Sequence, residues 1–203
     1  MKKRLPRKER KSRLGLYITL VLAALMILSV FGIVQNQDAG QTYNYEGHKF
    51  VYNNRDYQYD TKIDGVTVKF SNIPQDLLNL EVPSGAIEKL KAVEVISVSY
   101  DPQSVYAEML GGMQKDLSEE LYDHKKTIVQ IGLLNATEYS LPEISCDDAT
   151  PENPVLIFEI VNETANKTGF IEKNNCFVVK GISQVEMIQY FDRIRYGLYD
   201  IIA

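Results

Sequence analysis

The sequence predicts one membrane-spanning helix followed by a mixed α+β and α/β domain. In that domain an antiparallel β-meander comes first, and a mixed sheet containing a βαβ unit follows, with a C-terminal helix packed on it. Three observations support this prediction: an uncharged apolar stretch, a tyrosine-rich segment of alternating polarity, and apolar β-branched runs on either side of an amphipathic helical pattern. Hydrophobic residues make up 45% of the 203 positions, so the domain can bury a core of its own.

The apolar stretch Leu14–Val34 holds 21 residues and no charge. A helix of that length spans about 31 Å, which matches the ~30 Å hydrocarbon layer of a bilayer. The alternatives are a cleaved secretory signal, a pilin-type leader and a buried core helix. A signal has an apolar region of about 7–15 residues before a small-x-small site, and a core helix shows polar positions at helical spacing. We therefore expect a retained anchor whose partner is the lipid bilayer.

Charge predicts the orientation of this anchor. Residues 1–13, a basic tail, carry eight basic side chains and one acidic one, whereas the rest of the chain carries 14 basic and 26 acidic side chains. Basic flanks stay in the cytoplasm, so we expect a single-pass protein of the cell membrane with its C-terminal domain outside. Topology and anionic lipid headgroups explain the tail more simply than nucleic acid does, and no nucleic-acid partner is expected.

The predicted segments after the tail are a transmembrane helix over 14–34, a linker over 35–42 and an extracytoplasmic domain over 43–203. Within the domain, residues 43–72 are predicted to form the meander and residues 73–203 the α/β part. Turn residues fit the meander, because Asn53-Asn54 and Asp64-Gly65 stand where tight hairpins need positive φ. Its many tyrosines indicate cross-strand packing, and a carbohydrate-binding platform is the alternative.

The α/β part begins after Ile73-Pro74, with a helical turn over 75–80 and a short helix over 84–92. Asp101 and Pro102 then predict the start of a helix that ends near residue 122. Its apolar stripe comprises Val105, Met109, Met113, Leu117 and Leu121. The Gly111-Gly112 pair inside it predicts a kink or a close approach to the sheet.

Strands are predicted over 93–100 and 127–134, and because a helix joins them they should be parallel. A polar loop over 135–154 leads to a further apolar strand over 155–161. Two short strands, 169–172 and 176–179, flank the Asn174-Asn175 turn.

The closing helix is predicted over 183–202. Ser183 and Glu186 form the S-x-x-E pattern of a capping box. Its predicted apolar face comprises Val185, Ile188, Phe191, Ile194, Leu198 and Ile201. Arg193 and Arg195 lie off that stripe, so we expect a solvated edge for both, with anion binding as the alternative.

Two cysteines, Cys146 and Cys176, predict a disulfide in an exported domain. Free buried thiols are one alternative. A Cys2His2 metal site with His48 and His124 is another, but the spacing of these four residues is not that of a metal site. The acidic residues after Cys146 also lack the alternation of a calcium loop, so we expect no metal and no cofactor.

Three N-glycosylation sequons begin at Asn135, Asn162 and Asn166. On an outward-facing chain these asparagines are candidate glycan acceptors. Ordinary polar turn residues are the alternative reading of the same positions.

The whole layout resembles small single-pass archaeal membrane proteins with an exported α/β domain, whose function is not assigned. The resemblance rests on the basic start, the single anchor, the tyrosine-rich hairpins, the βαβ core and the ending NNCFVVKGISQVEMIQYFDRIRYGLYDII. It implies a surface on which sequon glycosylation takes place. It transfers no catalytic or binding residue.

No motif in the sequence indicates an enzyme. There is no GxSxG elbow, P-loop or GxGxxG fingerprint, so no catalytic residue is assigned. The favoured expectation is a non-catalytic binding or cell-envelope interaction module with a protein or envelope partner. The alternatives are an accessory subunit of a membrane complex and a surface hydrolase that uses Asp or Glu. Such a hydrolase would draw on Asp101, Asp147 or Asp148, because carboxylate pairs leave no spacing signature.

Overall fold

A computed structural model describes residues 17–27, 40–161 and 168–202. Residues 17–27 are helical and belong to one compact unit, Met1–Gln41, while Thr42–Ala203 form another. No helix among the described residues has both the length and the hydropathy needed to cross a membrane. The predicted transmembrane helix over 14–34 is described at only these 11 positions, and its remainder lies outside the described residues, as do the tail and linker residues 35–39.

The second unit is a mixed α+β fold, and its first part is the predicted meander. Four antiparallel strands lie in the order β1-β2-β3-β4. Their bounds are β1 Thr42–Tyr45, β2 His48–Asn53, β3 Gln58–Ile63 and β4 Val66–Phe70. The hairpin at Asp64-Gly65 has two consecutive positive φ angles, 50° and 86°, as the tightest hairpin turns require. The turn at Asn53-Asn54 is longer than predicted, since it extends to Tyr57, which has a φ of 57°.

A second, mixed sheet of five strands has the order β6-β5-β7-β9-β8. The strands are β5 Val95–Tyr100, β6 Ile128–Ile131, β7 Val155–Ile160, β8 Gly169–Lys173 and β9 Cys176–Gly181. The helices are α1 Ala86–Lys91, α2 Ala107–Lys125 and α3 Gln184–Leu198. Strands β5 and β6 are parallel across α2, which confirms the predicted pairing. Strands β7 and β9 extend the parallel region, and only β8 is antiparallel.

The two faces of the mixed sheet are covered differently. Successive side chains of strand β7 point to opposite faces of the sheet. Leu156 and Phe158 belong to the core beneath the helices, whereas Val155 and Ile157 belong to a smaller core on the other face. Ile144 of the predicted polar loop packs into that smaller core. The sheet therefore lies between a layer of helices and a loop.

Helix α2 begins five residues later than predicted. Asp101 does not cap it; its carboxylate instead accepts a hydrogen bond of 2.9 Å from the Gln103 N–H in a local turn. Val105 therefore precedes the helix and is 91% exposed, so its place in the predicted stripe was wrong. The buried helix residues are Leu110, Met113, Gln114, Leu117 and Leu121.

Ser183 caps helix α3 as predicted, but the predicted capping box is incomplete because Glu186 binds the N–H of Ile182 instead of that of Ser183, and the buried face of the helix is rotated. The Ser183 side chain accepts from the Glu186 N–H at 3.2 Å, and the Glu186 carboxylate accepts from the Ile182 N–H at 2.7 Å. Val185 is exposed, and Met187 is buried in its place. The helix is then buried continuously from Tyr190 to Leu198, because it packs against both parts of the domain.

The second half of α3 completes the core of the meander. Tyr196 stacks on Phe70 with ring centroids 4.0 Å apart and meets Phe50 edge to face at 5.8 Å. Ile201 and Ile202 belong to the same core. Helix α3 therefore packs both against the mixed sheet and against the hydrophobic face of the meander.

Arg193 and Arg195 are both buried, with 7% and 4% exposure, so the expectation of a solvated edge was wrong. The Arg195 guanidinium donates to Glu120 of α2 through both Nε, at 2.9 Å, and Nη2. It also donates to the Lys69 carbonyl oxygen at 2.7 Å. Its Cζ atom lies over the Phe70 ring, 4.4 Å from the ring centre. A single side chain thus joins α2, α3 and β4.

Asp192 extends this network on the other side. Its Oδ1 accepts from Arg195 at 3.0 Å. Its Oδ2 accepts from the Ser71 and Asn72 backbone N–H groups and from the Asn72 side chain, each at 2.9 Å. Burial raises the pKa of Asp192, and Arg195 and the Asn72 donors act against that rise. The carboxylate therefore holds the chain where it leaves β4.

Removing Arg195 should be costly, because buried Asp192 and partly buried Glu120 would both lose their counter-charge and their shared hydrogen-bond donor. We expect Arg195→Met to lower the free energy of unfolding by about 3–5 kcal/mol, measured by urea denaturation of the full chain in a neutral detergent. Lys115→Met is the matched control, since Lys115 pairs with Glu119 at 3.5 Å on the solvent side and should change stability little. Equal losses in both variants would contradict the assigned role of Arg195.

Two buried phenols predict alkaline instability. Burial, reinforced by Asp192 for Tyr196 and by Glu120 for Tyr199, raises both pKa values well above the ordinary value. Above about pH 10 the unfolded chain loses these protons while the folded chain keeps them, so each group should reduce stability by about 1.4 kcal/mol per pH unit. Denaturation between pH 9 and 11 should show a shallower slope for Tyr199→Phe, whereas Tyr57→Phe, at a 75% exposed position, should leave the slope unchanged.

Candidate ligand-binding crevice

A crevice opens at the carboxyl ends of the parallel strands. Strand β5 continues through α2 to β6 on one side, whereas β7 continues toward β8 and β9 on the other. The two neighbouring strands β5 and β7 therefore send their connections in opposite directions. In open α/β sheets this reversal of strand order is where ligands bind.

The crevice has a volume of about 800 Å³, within the range of small-molecule sites. Phe158, Leu110 and Leu134 supply apolar lining from β7, α2 and the segment after β6. Polar lining comes from the turn before α2, at Gln103 and Ser104, and from the loop after β6. Each strand end thus contributes a short piece of the wall, as the topology requires.

Tyr100, the last residue of β5, sets the spacing between α2 and the sheet beside the crevice. A Cβ atom built on Gly111 would lie 2.9 Å from the Tyr100 hydroxyl, whereas one on Gly112 would meet no atom within 4 Å. The helix therefore approaches the sheet closely at Gly111, as the glycine pair predicted, and continues without interruption through both residues. Burial raises the pKa of the Tyr100 phenol, so it stays neutral near pH 7.

The charged lining of the crevice is acidic. Asp101 is exposed on its wall, and Glu159 lies at the end of β7. Lys180 of β9 pairs with Glu159 at 2.8 Å. Among the described residues that line the crevice there is no lysine, arginine or histidine. The site is therefore built to receive apolar and neutral or cationic groups.

The predicted disulfide partners lie at the amino ends of the parallel strands, opposite the crevice. Cys176 is the first residue of β9, and its sulfur is at disulfide distance from that of Cys146, with the Cα atoms 5.2 Å apart. Cys146 begins a 3₁₀ turn, Cys146–Asp148, that Ser145 caps. This pair fastens the loop to the amino ends of the strands, away from the crevice.

The hydrolase alternative gains no geometric support from the three candidate aspartates. Asp101 lies in the crevice, but Asp147 and Asp148 are in the turn beside the disulfide, at the opposite ends of the strands. Asp148 is occupied in that turn, where its carboxylate accepts from the Ser145 N–H at 2.8 Å. Asp101 is therefore not brought together with either of the other two.

The structure does not assemble the Cys2His2 alternative. Both cysteines are in the sulfur pair, and the His124 ring packs against Tyr199 with centroids 5.2 Å apart. Across residues 17–27, 40–161 and 168–202 no group of three His, Cys, Asp or Glu side chains is placed to hold a metal ion.

One sequon lies in the crevice wall. Asn135 is exposed, and its side-chain Oδ1 accepts from the Thr137 hydroxyl at 2.8 Å. The sequons at Asn162 and Asn166 lie outside the described residues. A glycan on Asn135 would therefore stand at the mouth of the crevice.

Sequence reasoning missed the crevice as a site. The signal was available in the strand order, but the parallel pairing of β5 with β7 cannot be read from two apolar runs separated by 54 residues that contain a helix, another strand and a loop. Glu159 and Ile182 gave no signal of their own, since Glu159 is a single polar residue near the end of an apolar strand and Ile182 follows another. Comparison with models of protein families, with curated proteins and with solved structures found no match.

The two neighbouring glycines of α2 offer a matched test of the close approach. Gly112→Ala should stabilise the fold by about 0.5–1 kcal/mol, because alanine favours a helix and the space is open. Gly111→Ala should give no such gain, since its methyl group must displace the Tyr100 ring. The difference between their urea midpoints measures the effect, and equal stabilisation would show that α2 does not touch the sheet there.

Proposed function

We propose that this chain is a non-catalytic binding module, tethered to the cell membrane with its domain outside, and that the crevice is its binding site. The observation that carries the proposal is the position of this cavity at the strand-order reversal between β5 and β7. That position is the one at which α/β sheets present several loops to a single ligand.

The composition of the wall supports binding over chemistry. Most of its residues are apolar, and its polar groups come from three places: the turn between β5 and α2, the loop after β6, and the end of β7. The two carboxylates in the wall have separate roles, because Glu159 is ion-paired with Lys180 while Asp101 organises its own turn. An acid and base pair would need groups directed at a common reacting atom.

The predicted tether supports the proposal from the sequence. The 21 uncharged positions of Leu14–Val34 follow a basic tail, and this arrangement orients a single-pass protein with its domain outside. The acidic excess beyond the anchor suits a solvated surface in an extracytoplasmic space. An accessory subunit would share this topology and would add a fixed membrane partner.

Photo-crosslinking tests the proposed site in the full chain. A benzophenone amino acid replaces Val105, in the crevice wall, or Ile128, which is 55% exposed on the edge strand β6. In cells of the source organism, irradiation should yield a discrete adduct from position 105 and none from position 128. Protease added to the intact cells should then degrade the adduct, because the domain is outside.

A second substitution links the adduct to the crevice itself. Ile182→Lys, on the opposite wall, should abolish crosslinking from position 105, since a charged chain would fill the apolar end of the cavity. The proposal fails if position 105 gives no adduct, if both positions give the same adducts, or if Ile182→Lys leaves the adduct unchanged.

A further inference from the structure

Exposed apolar side chains surround the crevice and continue beyond it. Val105 is 91% exposed and Ile182 is 44% exposed, and both line the cavity. Val185, in the first turn of α3, is 66% exposed and lies outside the lining. Large apolar side chains exposed in and beside a crevice are typical of interaction sites. The surface available to a partner is therefore larger than the cavity alone.

Negative charge accompanies this apolar surface. Besides Asp101 and Glu159 in the wall, Glu108 and Glu186 lie in the first turns of α2 and α3, the helices that start at this edge. Lys180, which lies outside the wall, balances the charge of Glu159. The described wall itself contains no basic group, so the charge of Asp101 has no partner there. A partner that complements this edge carries positive charge between apolar groups.

We infer that the crevice binds an extended peptide segment in which lysine or arginine alternates with apolar residues. The inference rests on the proposed function and names the ligand class of that same site. The apolar residues of the segment would contact Val105 and Ile182, which are exposed in the wall, and its basic residues would face Asp101. A small amine would occupy only part of the cavity and would leave Val185 uncovered, which favours a chain long enough to run past the rim.

Peptide binding to the full chain tests the ligand class. The probes are fluorescein-labelled hexapeptides with blocked ends, in which leucine alternates with lysine, with glutamate or with serine. Fluorescence anisotropy is recorded in a neutral detergent, so that charged lipid contributes nothing. The lysine peptide should bind most tightly, and its affinity should fall as salt is added, because part of the attraction is between exposed charges.

Two aspartate variants locate the binding. Asp101→Asn should weaken the lysine peptide by about three- to fivefold, the effect of losing one exposed ion pair. Asp147→Asn is the matched control, because Asp147 is exposed in the turn at the opposite edge, and it should leave the affinity unchanged. Val105→Ser should weaken the lysine and serine peptides alike, since it removes apolar contact alone.

The outcomes separate this inference from the proposed function. Equal affinity for the three peptides, or equal effects of Asp101→Asn and Asp147→Asn, would overturn the ligand class. Crosslinking from position 105 without binding of the lysine peptide would also overturn it and would leave the binding module standing. Absence of both crosslinking and peptide binding would overturn the two together.

Discussion

The domain depends on one buried ionic cluster, in which Arg195 is held by Glu120, Asp192 and the Lys69 carbonyl oxygen. An arginine is suited to this place because its planar group directs several donors at once and also stacks on the Phe70 ring. The desolvation of these charges is offset only while every partner remains in place. The hydrogen bonds of Arg195 therefore fix the positions of the meander, α2 and α3 relative to one another, in addition to the apolar contacts between them.

This cluster lies where α3 is buried on every side, from Tyr190 to Leu198. One face of the helix packs into the core of the mixed sheet through Phe191, Ile194 and Leu198, and another face packs Tyr196 against the meander. Asp192 and Arg195 stand at the change between these two environments. The crevice lies at the other end of the same helix, next to its first turn. The residues that join the two sheets therefore do not line the crevice.

Local signals in the sequence sufficed for the elements and failed for their long-range partners. The Asp64-Gly65 turn, the Ser183 cap and the βαβ pairing could all be predicted, since each depends on residues close in sequence or on a general rule of connection. Arg195 could not, because its partner Glu120 is 75 positions away and helical periodicity does not distinguish a second buried face from a solvated one. The crevice was hidden for the same reason, as it arises from the β5 and β7 pairing.

The contact between Tyr196 and the meander has a consequence for the order of events during synthesis. The Tyr196 hydroxyl donates to the Asn72 carbonyl oxygen across 124 positions, and Ile201 and Ile202 close the same cluster. The hairpins emerge from the ribosome long before these partners exist, so their aromatic face stays open to solvent while more than half of the domain is still being made. Cooperative folding must wait until α3 has been translated, and a chaperone has that interval in which to hold the nascent chain.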